Sequence, residues 1–153
     1  MRELERIILH CSATKPGVKV SAERIKRWHI GRNFRTIGYH FVIQPNGLLE
    51  MGRPINEVGA HCKGFNKTSV GICYIGGLDA QGNACNTMTD EQVYTLAAIC
   101  SAICYVSCKY VPLHGHREFN NTGKECPGFD VAQDLAWFID YLSCTGYGTY
   151  EGD

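Results

Sequence analysis

The chain has 153 residues, 44% of them apolar and 10% aromatic, which suffices to close one hydrophobic core at the usual size of a single domain. Lys plus Arg and Asp plus Glu both number 15, so no long-range field is available to hold DNA, RNA or an anionic membrane, and a polyanion-binding role is disfavoured. Nine cysteines at irregular spacing predict mostly reduced thiols rather than a disulfide framework.

The start, "MRELERIILHCSAT", scatters charges among its apolar residues and lacks the apolar core of a secretory signal. Within it, 6–13 is a short Ile/Leu-rich run that predicts a buried strand with His10 near its C-terminal end. Residues 21–32 place Ile25, Trp28 and His29 at helical spacing behind Ser21, a good N-cap. In 38–54 two apolar segments flank "QPNG", a strong hairpin signal. Residues 69–77 read as an inner strand stopped by paired glycines.

From Thr89 onward Val93, Leu96, Ala97, Cys100, Ile103 and Cys104 share one helical face, with Thr89 and Gln92 in capping-box positions. "VPLHGH" is a further strand, and 130–142 predicts a final amphipathic helix. No repeat, linker or composition break divides the chain, and no stretch reaches transmembrane length. The expected architecture is a single α/β domain over residues 1–143, with a central mixed sheet of about five strands flanked by about three helices, followed by a tail at 144–153.

The stretch "GHREFNNTGKECPGF" sets His116 and Cys126 at the two ends of a polar loop containing Asn120, Asn121, Thr122 and Gly123. Zinc takes His, Cys and carboxylate ligands, and a catalytic zinc keeps one position open. His116 and Cys126 offer two ligands, and His10 is the best-placed third. Successive strand residues point to opposite faces, so if His10 faces such a site, Cys11 faces away. A lone histidine is more often a hydrogen-bonded structural residue, and a lone cysteine a small buried hydrophobe. Spacing alone leaves such a non-local site open.

Further motifs carry a resemblance. "ILHCSATKPG", "GYHFVIQPNG", "GRP", "GAHCKGFN", "SVGICYIGG" and "GHRE…KECPGFD" occur in the order seen in zinc-dependent N-acetylmuramoyl-L-alanine amidases. The chain resembles the short lytic amidases of phages and, more distantly, animal peptidoglycan recognition proteins, from about residue 6 to residue 142.

The resemblance implies a Zn²⁺ held by His10, His116 and Cys126, with Tyr39 and Lys124 in catalytic roles. The loop between His116 and Lys124 is about two residues longer than in the phage enzymes, which leaves His114 beside His116 as a candidate; the "GHRE" context favours His116. His61 and Asn66 match a segment near the substrate groove and are expected to contact the muramyl peptide. Two imidazoles and one thiolate would leave the site with a formal charge of +1, enough to acidify a water and polarise an amide carbonyl.

The implied activity is hydrolysis of the amide between N-acetylmuramic acid and L-alanine in peptidoglycan. The alternative is a module that recognises muramyl peptides without cutting them, and such relatives lose the ligand cysteine that this chain keeps. The protein is expected to be a monomer, to bind no nucleic acid, to insert in no membrane, and to reach the cell wall by release or delivery through another system. Cys100, Cys104 and Cys108 recur every four residues on one helix and read as small core residues.

Overall fold

A computed structural model describes residues 2–119 and 123–145. The Ile/Leu run folds as β1 (Arg6–Cys11), whose inner four residues are fully buried. It pairs in parallel with β4 (Ser69–Tyr74) on one side and β5 (Leu113–Gly115) on the other. β2 (Phe41–Ile43) adds in parallel beyond β4, and β3 (Leu49–Met51) closes the edge as the antiparallel arm of the hairpin. The sheet is therefore mixed and five-stranded, in the order β3-β2-β4-β1-β5. The tight turn is made by Gln44 to Leu48, where the Gln44 N–H donates to the Leu48 carbonyl at 2.9 Å and Gly47 takes a positive φ of 80°.

The helices begin where their caps lie. α1 (Ala22–Ile30) starts at Ser21, whose side chain accepts from the Arg24 N–H. α2 (Asp90–Ser107) starts at a complete Thr89/Gln92 capping box, with Asp90 and Glu91 in its first turn where the helix dipole favours them. The last segment forms two helices rather than the single one expected. Asp130 caps α3 (Val131–Asp134), Leu135 departs from helical geometry at φ −114° and ψ 20°, and α4 (Ala136–Cys144) follows. Val131, Leu135, Phe138 and Leu142 all reach the core across this bend; their i, i+4, i+7, i+11 spacing would also set them on one face of an unbroken helix, so the apolar pattern does not reveal the break. Of the tail expected at 144–153, residues 146–153 lie outside the described residues.

Strand alternation divides the core by sheet face. Ile7 and Leu9 of β1, with Val70, Ile72 and Tyr74 of β4, pack against α2 and α4. Val42, Cys73 and Ile75 face α1 through Ile25 and Ala22, with Tyr39 and Trp28 packed alongside. His10 shares this second face, being the residue immediately after Leu9.

Gln92 ties α2 to the sheet. Its fully buried side chain donates to the carbonyls of Ile43 at 3.1 Å and Ile75 at 3.0 Å, and accepts from the Thr89 N–H at 3.0 Å. Gln92→Leu would take away the partner of the Thr89 N–H and of the Ile75 carbonyl, while the Ile43 carbonyl keeps the Ile75 N–H at 3.0 Å, and we expect a loss of about 2–3 kcal/mol of stability. A lowered urea midpoint with an unchanged denaturant slope would register it.

Candidate metal centre

His10 sits at the C-terminal end of β1 with 2% of its surface exposed. His116 opens a short 3-10 turn, His116–Phe119, immediately after β5, so the parallel pairing of β1 with β5 sets the two imidazoles side by side, with ring centroids 4.4 Å apart. Cys126 comes from the following loop. That loop is tied to the turn by the Arg117 N–H, which donates to the Cys126 carbonyl at 2.7 Å. It is tied to the sheet by the Tyr74 hydroxyl, which donates to the Pro127 carbonyl at 2.7 Å. The Cys126–Pro127 peptide is cis.

These segments bring one donor atom each of His10, His116 and Cys126 within 4.8 Å of one another. The His10 Nδ1 lies 3.8 Å from the Cys126 Sγ. Zinc–nitrogen and zinc–sulfur bonds of about 2.0 and 2.3 Å at a tetrahedral angle would put those atoms about 3.6 Å apart, so the donors fit such an ion with little movement. Two imidazoles and a thiolate also match zinc in ligand chemistry.

Burial, followed by the neighbouring His61, His116 and His29, holds His10 well below the ordinary histidine range, which keeps the ring neutral as a ligand must be. Burial and the Lys124 charge lower His116 as well. The hydrogen bond shared with the Cys11 side chain, then burial, raises the Cys126 thiol. A divalent cation reverses that preference by drawing out the thiolate, toward which the Cys11 N–H already points at 3.4 Å.

Tyr39 packs its ring 4.9 Å from that of His10 and 5.2 Å from that of His29. Its phenol is raised well above the ordinary value, first by burial and then by Cys73 and Cys126. Lys124 is exposed, two residues before Cys126, on the rim of a crevice of about 430 Å³ lined also by Cys11, Ala13, Gly77 and Leu78. His114 lies apart from the three converging donors. Its Nδ1 pairs with the Glu118 carboxylate at 2.7 Å, while the other oxygen of that carboxylate accepts from the Gly115 N–H at 2.7 Å.

His61 and Asn66 take internal partners. The His61 Nδ1 is 3.0 Å from the His10 Nε2, and its Nε2 is 3.3 Å from the Ser69 hydroxyl. The Asn66 side-chain oxygen accepts from the N–H groups of His61 and Cys62, both at 2.8 Å. Sequence reasoning passes over Ser69, Gly59 and Gly71, which complete this arrangement. β4 is buried throughout, and its two-residue alternation in register with β1 places Ser69 and Gly71 on the His10 face; a strand buried on both faces gives no polar–apolar pattern that would have singled them out. Cys11 packs its side chain against the α2 core, as the alternation predicts, yet it meets Cys126 through its thiol as well as through its main-chain N–H.

The profile of the N-acetylmuramoyl-L-alanine amidase family matches residues 1–129. The chain belongs to this family. It is 37% identical over 130 residues to the endolysin of Enterobacteria phage K11, covering 85% of this chain and 84% of the relative. It is 36% identical over 129 residues to the endolysin of Escherichia phage T7, covering 83% and 82%. Among solved structures, the N-acetylmuramoyl-L-alanine amidase LysC from Clostridium intestinale superposes with a TM-score of 0.76 at 25% identity, over 92% of this chain and 86% of that one. The five-stranded sheet and its helices are thus the fold of this amidase family.

Cys100 and Cys104 are buried in the α2 core, and Cys104 accepts the Val111 N–H at 3.3 Å. Cys108 is the exposed left-handed C-cap of the helix. We therefore expect Cys100→Ala to leave zinc stoichiometry unchanged and Cys126→Ser to remove most of it, as read by elemental analysis after dialysis.

Proposed function

We propose that this amidase is a zinc-dependent cell-wall lytic enzyme that cuts the bond between N-acetylmuramic acid and the L-alanine of the stem peptide. The observation that carries the reading is the convergence of His10, His116 and Cys126, with Tyr39 against His10 and Lys124 on the rim, in a chain of the amidase family. When bound there, zinc supplies Lewis acidity toward the amide carbonyl and lowers the pKa of the attacking water.

The rest belongs to side chains. Amide hydrolysis builds negative charge on the carbonyl oxygen, and the Lys124 ammonium, two residues from the ligand cysteine, can meet that charge from the solvent side. The Tyr39 phenol stays protonated at neutral pH, so it acts as a hydrogen-bond donor, to the developing tetrahedral centre or to the leaving amine. The crevice lined by Cys126 and Lys124 borders the metal centre on its cysteine side.

The endolysin relatives support action on the bacterial wall, after release or delivery by another system, and we take the working form to be a monomer. No helix among the described residues is long and apolar enough to cross a membrane. The alternative, muramyl-peptide recognition without cleavage, draws on the 29% identity over 130 residues to a Drosophila peptidoglycan-recognition protein. Cys126 favours hydrolysis over it, because a thiolate serves a metal and offers little to a peptide.

Digestion of purified peptidoglycan is expected to release stem peptides with new L-alanine amino termini and no new reducing sugar ends, as read by mass spectrometry of the products. Glycan cleavage would refute the assignment of the bond. Chelation is expected to abolish activity and zinc to restore it. Lys124→Ala is expected to retain zinc while kcat falls on the order of 10²–10³, the usual cost of losing one donor to a developing oxyanion.

A further inference from the structure

The contacts of His61 fix more than a position; they fix where each proton sits. The Ser69 hydroxyl donates to the Phe65 carbonyl at 2.8 Å, and a carbonyl can only accept. With its proton so committed, the Ser69 oxygen at 3.3 Å receives the His61 Nε2–H. A neutral imidazole protonated at Nε2 carries a lone pair at Nδ1, so the 3.0 Å contact between the two rings has the His10 Nε2–H as donor and the His61 Nδ1 as acceptor. The proton of His10 is thereby held at Nε2. Its Nδ1 lone pair is left facing Cys126.

Two glycines build the slot that holds the acceptor. A Cβ on Gly71 would lie 2.5 Å from the His61 Cγ, and one on Gly59 would lie 2.6 Å from the His61 Cδ2 and 2.8 Å from the His40 Cε1. Any side chain at either position would push the ring away from His10. The Asn66 carboxamide oxygen fixes the same residue through its main chain. Both ring nitrogens of His61 are thus engaged inside the protein.

We propose that His61 is a positioning residue: by accepting the His10 Nε2–H it selects the tautomer and ring angle that present the His10 Nδ1 to the metal. This rests on the zinc reading given above. Metal-bound histidines commonly direct their second nitrogen to a carboxylate or carbonyl. Here a second imidazole takes that place, relayed through Ser69 to a main-chain carbonyl.

The test measures zinc affinity by competition with a chromogenic chelator, independently of turnover. Wild-type protein that binds no zinc would overturn the metal reading itself. Given wild-type binding, His61→Leu is expected to weaken zinc by about 10- to 100-fold. His61→Asn, whose side-chain oxygen can stand near the Nδ1 position as an acceptor, is expected to recover most of that loss. Ser69→Ala, a smaller change that frees the His61 tautomer, is expected to weaken zinc by a lesser factor in a protein whose fold is preserved by circular dichroism. At saturating zinc, KM for a muropeptide is expected to stay within about twofold of wild type in all three, the proportionate result when only the metal site is loosened. Unchanged zinc affinity in His61→Leu, or a raised KM with normal zinc binding, would overturn the proposal.

Discussion

The metal centre depends on β1 being paired in parallel on both edges. A strand paired with β4 over Arg6–Cys11 and with β5 over Ile7–Leu9 has no freedom to slip, because a one-residue shift would carry His10 into the α2 core and Leu9 onto the site face. Parallel pairing also delivers the next ligand. β5 ends level with the last residues of β1, so the turn that follows it must pass the end of β1, and His116 is its first residue. Cys126 needs a separate device because it lies on a loop, and three hydrogen bonds provide it, from the Arg117 N–H, the Cys11 N–H and the Tyr74 hydroxyl. Sheet register places two donors and loop tethers place the third, at the carboxyl ends of the strands where open α/β folds usually bind ligands.

Around this centre the polar groups are organised by main-chain carbonyls rather than by carboxylates. Arg53, 7% exposed, donates to the carbonyls of Ile37 and Val58, and Arg2 donates to those of Ile55, Lys67 and Ser69. His40 accepts the Gly71 N–H at Nδ1, and its Nε2–H points to the Glu57 carbonyl. That nitrogen has no lone pair for the Arg2 guanidinium 3.2 Å away, so the approach is a contact between donors. Burial first, then the nearby arginines among other groups, holds His40 at about 4, and burial with His40 and His116 holds His61 at about 3. A region this poor in buried anions keeps its histidines neutral. Neutral rings are what a thiolate-bearing divalent site requires.

Much of this is legible in the sequence because local chemistry and tertiary structure agree. Ser21 and the Thr89/Gln92 pair begin their helices, and Asn46-Gly47 makes the hairpin turn. The alternation around His10 correctly assigns Cys11 to the other face. The C-terminal helix is misread because its apolar residues fit one helical period as well as two shorter pieces, and only the shape of the core selects the bend at Leu135. Ordered motifs, not spacing, raise His10, His116 and Cys126 above ordinary buried residues. The role of His61 is hidden for a different reason. A ring nitrogen carries no mark in sequence of whether it faces a substrate or a neighbour, and the glycines that make its slot lie two residues before it and ten after.

Catalysis and recognition would draw on the same cleft in different ways, and the side chains at its floor separate them. A peptide-binding surface gains from N–H and O–H groups that meet the carbonyls of its ligand, and it loses nothing if its acceptors are satisfied internally. Here the protein commits its own donors inward: the His10 Nε2–H to His61, the Cys11 N–H to Cys126 and the Arg117 N–H to the Cys126 carbonyl. What remains aimed at the centre from His10 and Cys126 is a lone pair and a sulfur. Two such acceptors 3.8 Å apart repel one another once the thiol ionises, and only a cation between them turns that repulsion into attraction. A fold that spends a buried strand end, a glycine slot and three loop tethers on holding acceptors together is suited to a cation at that point, which is where the proposed mechanism has the amide bond cut.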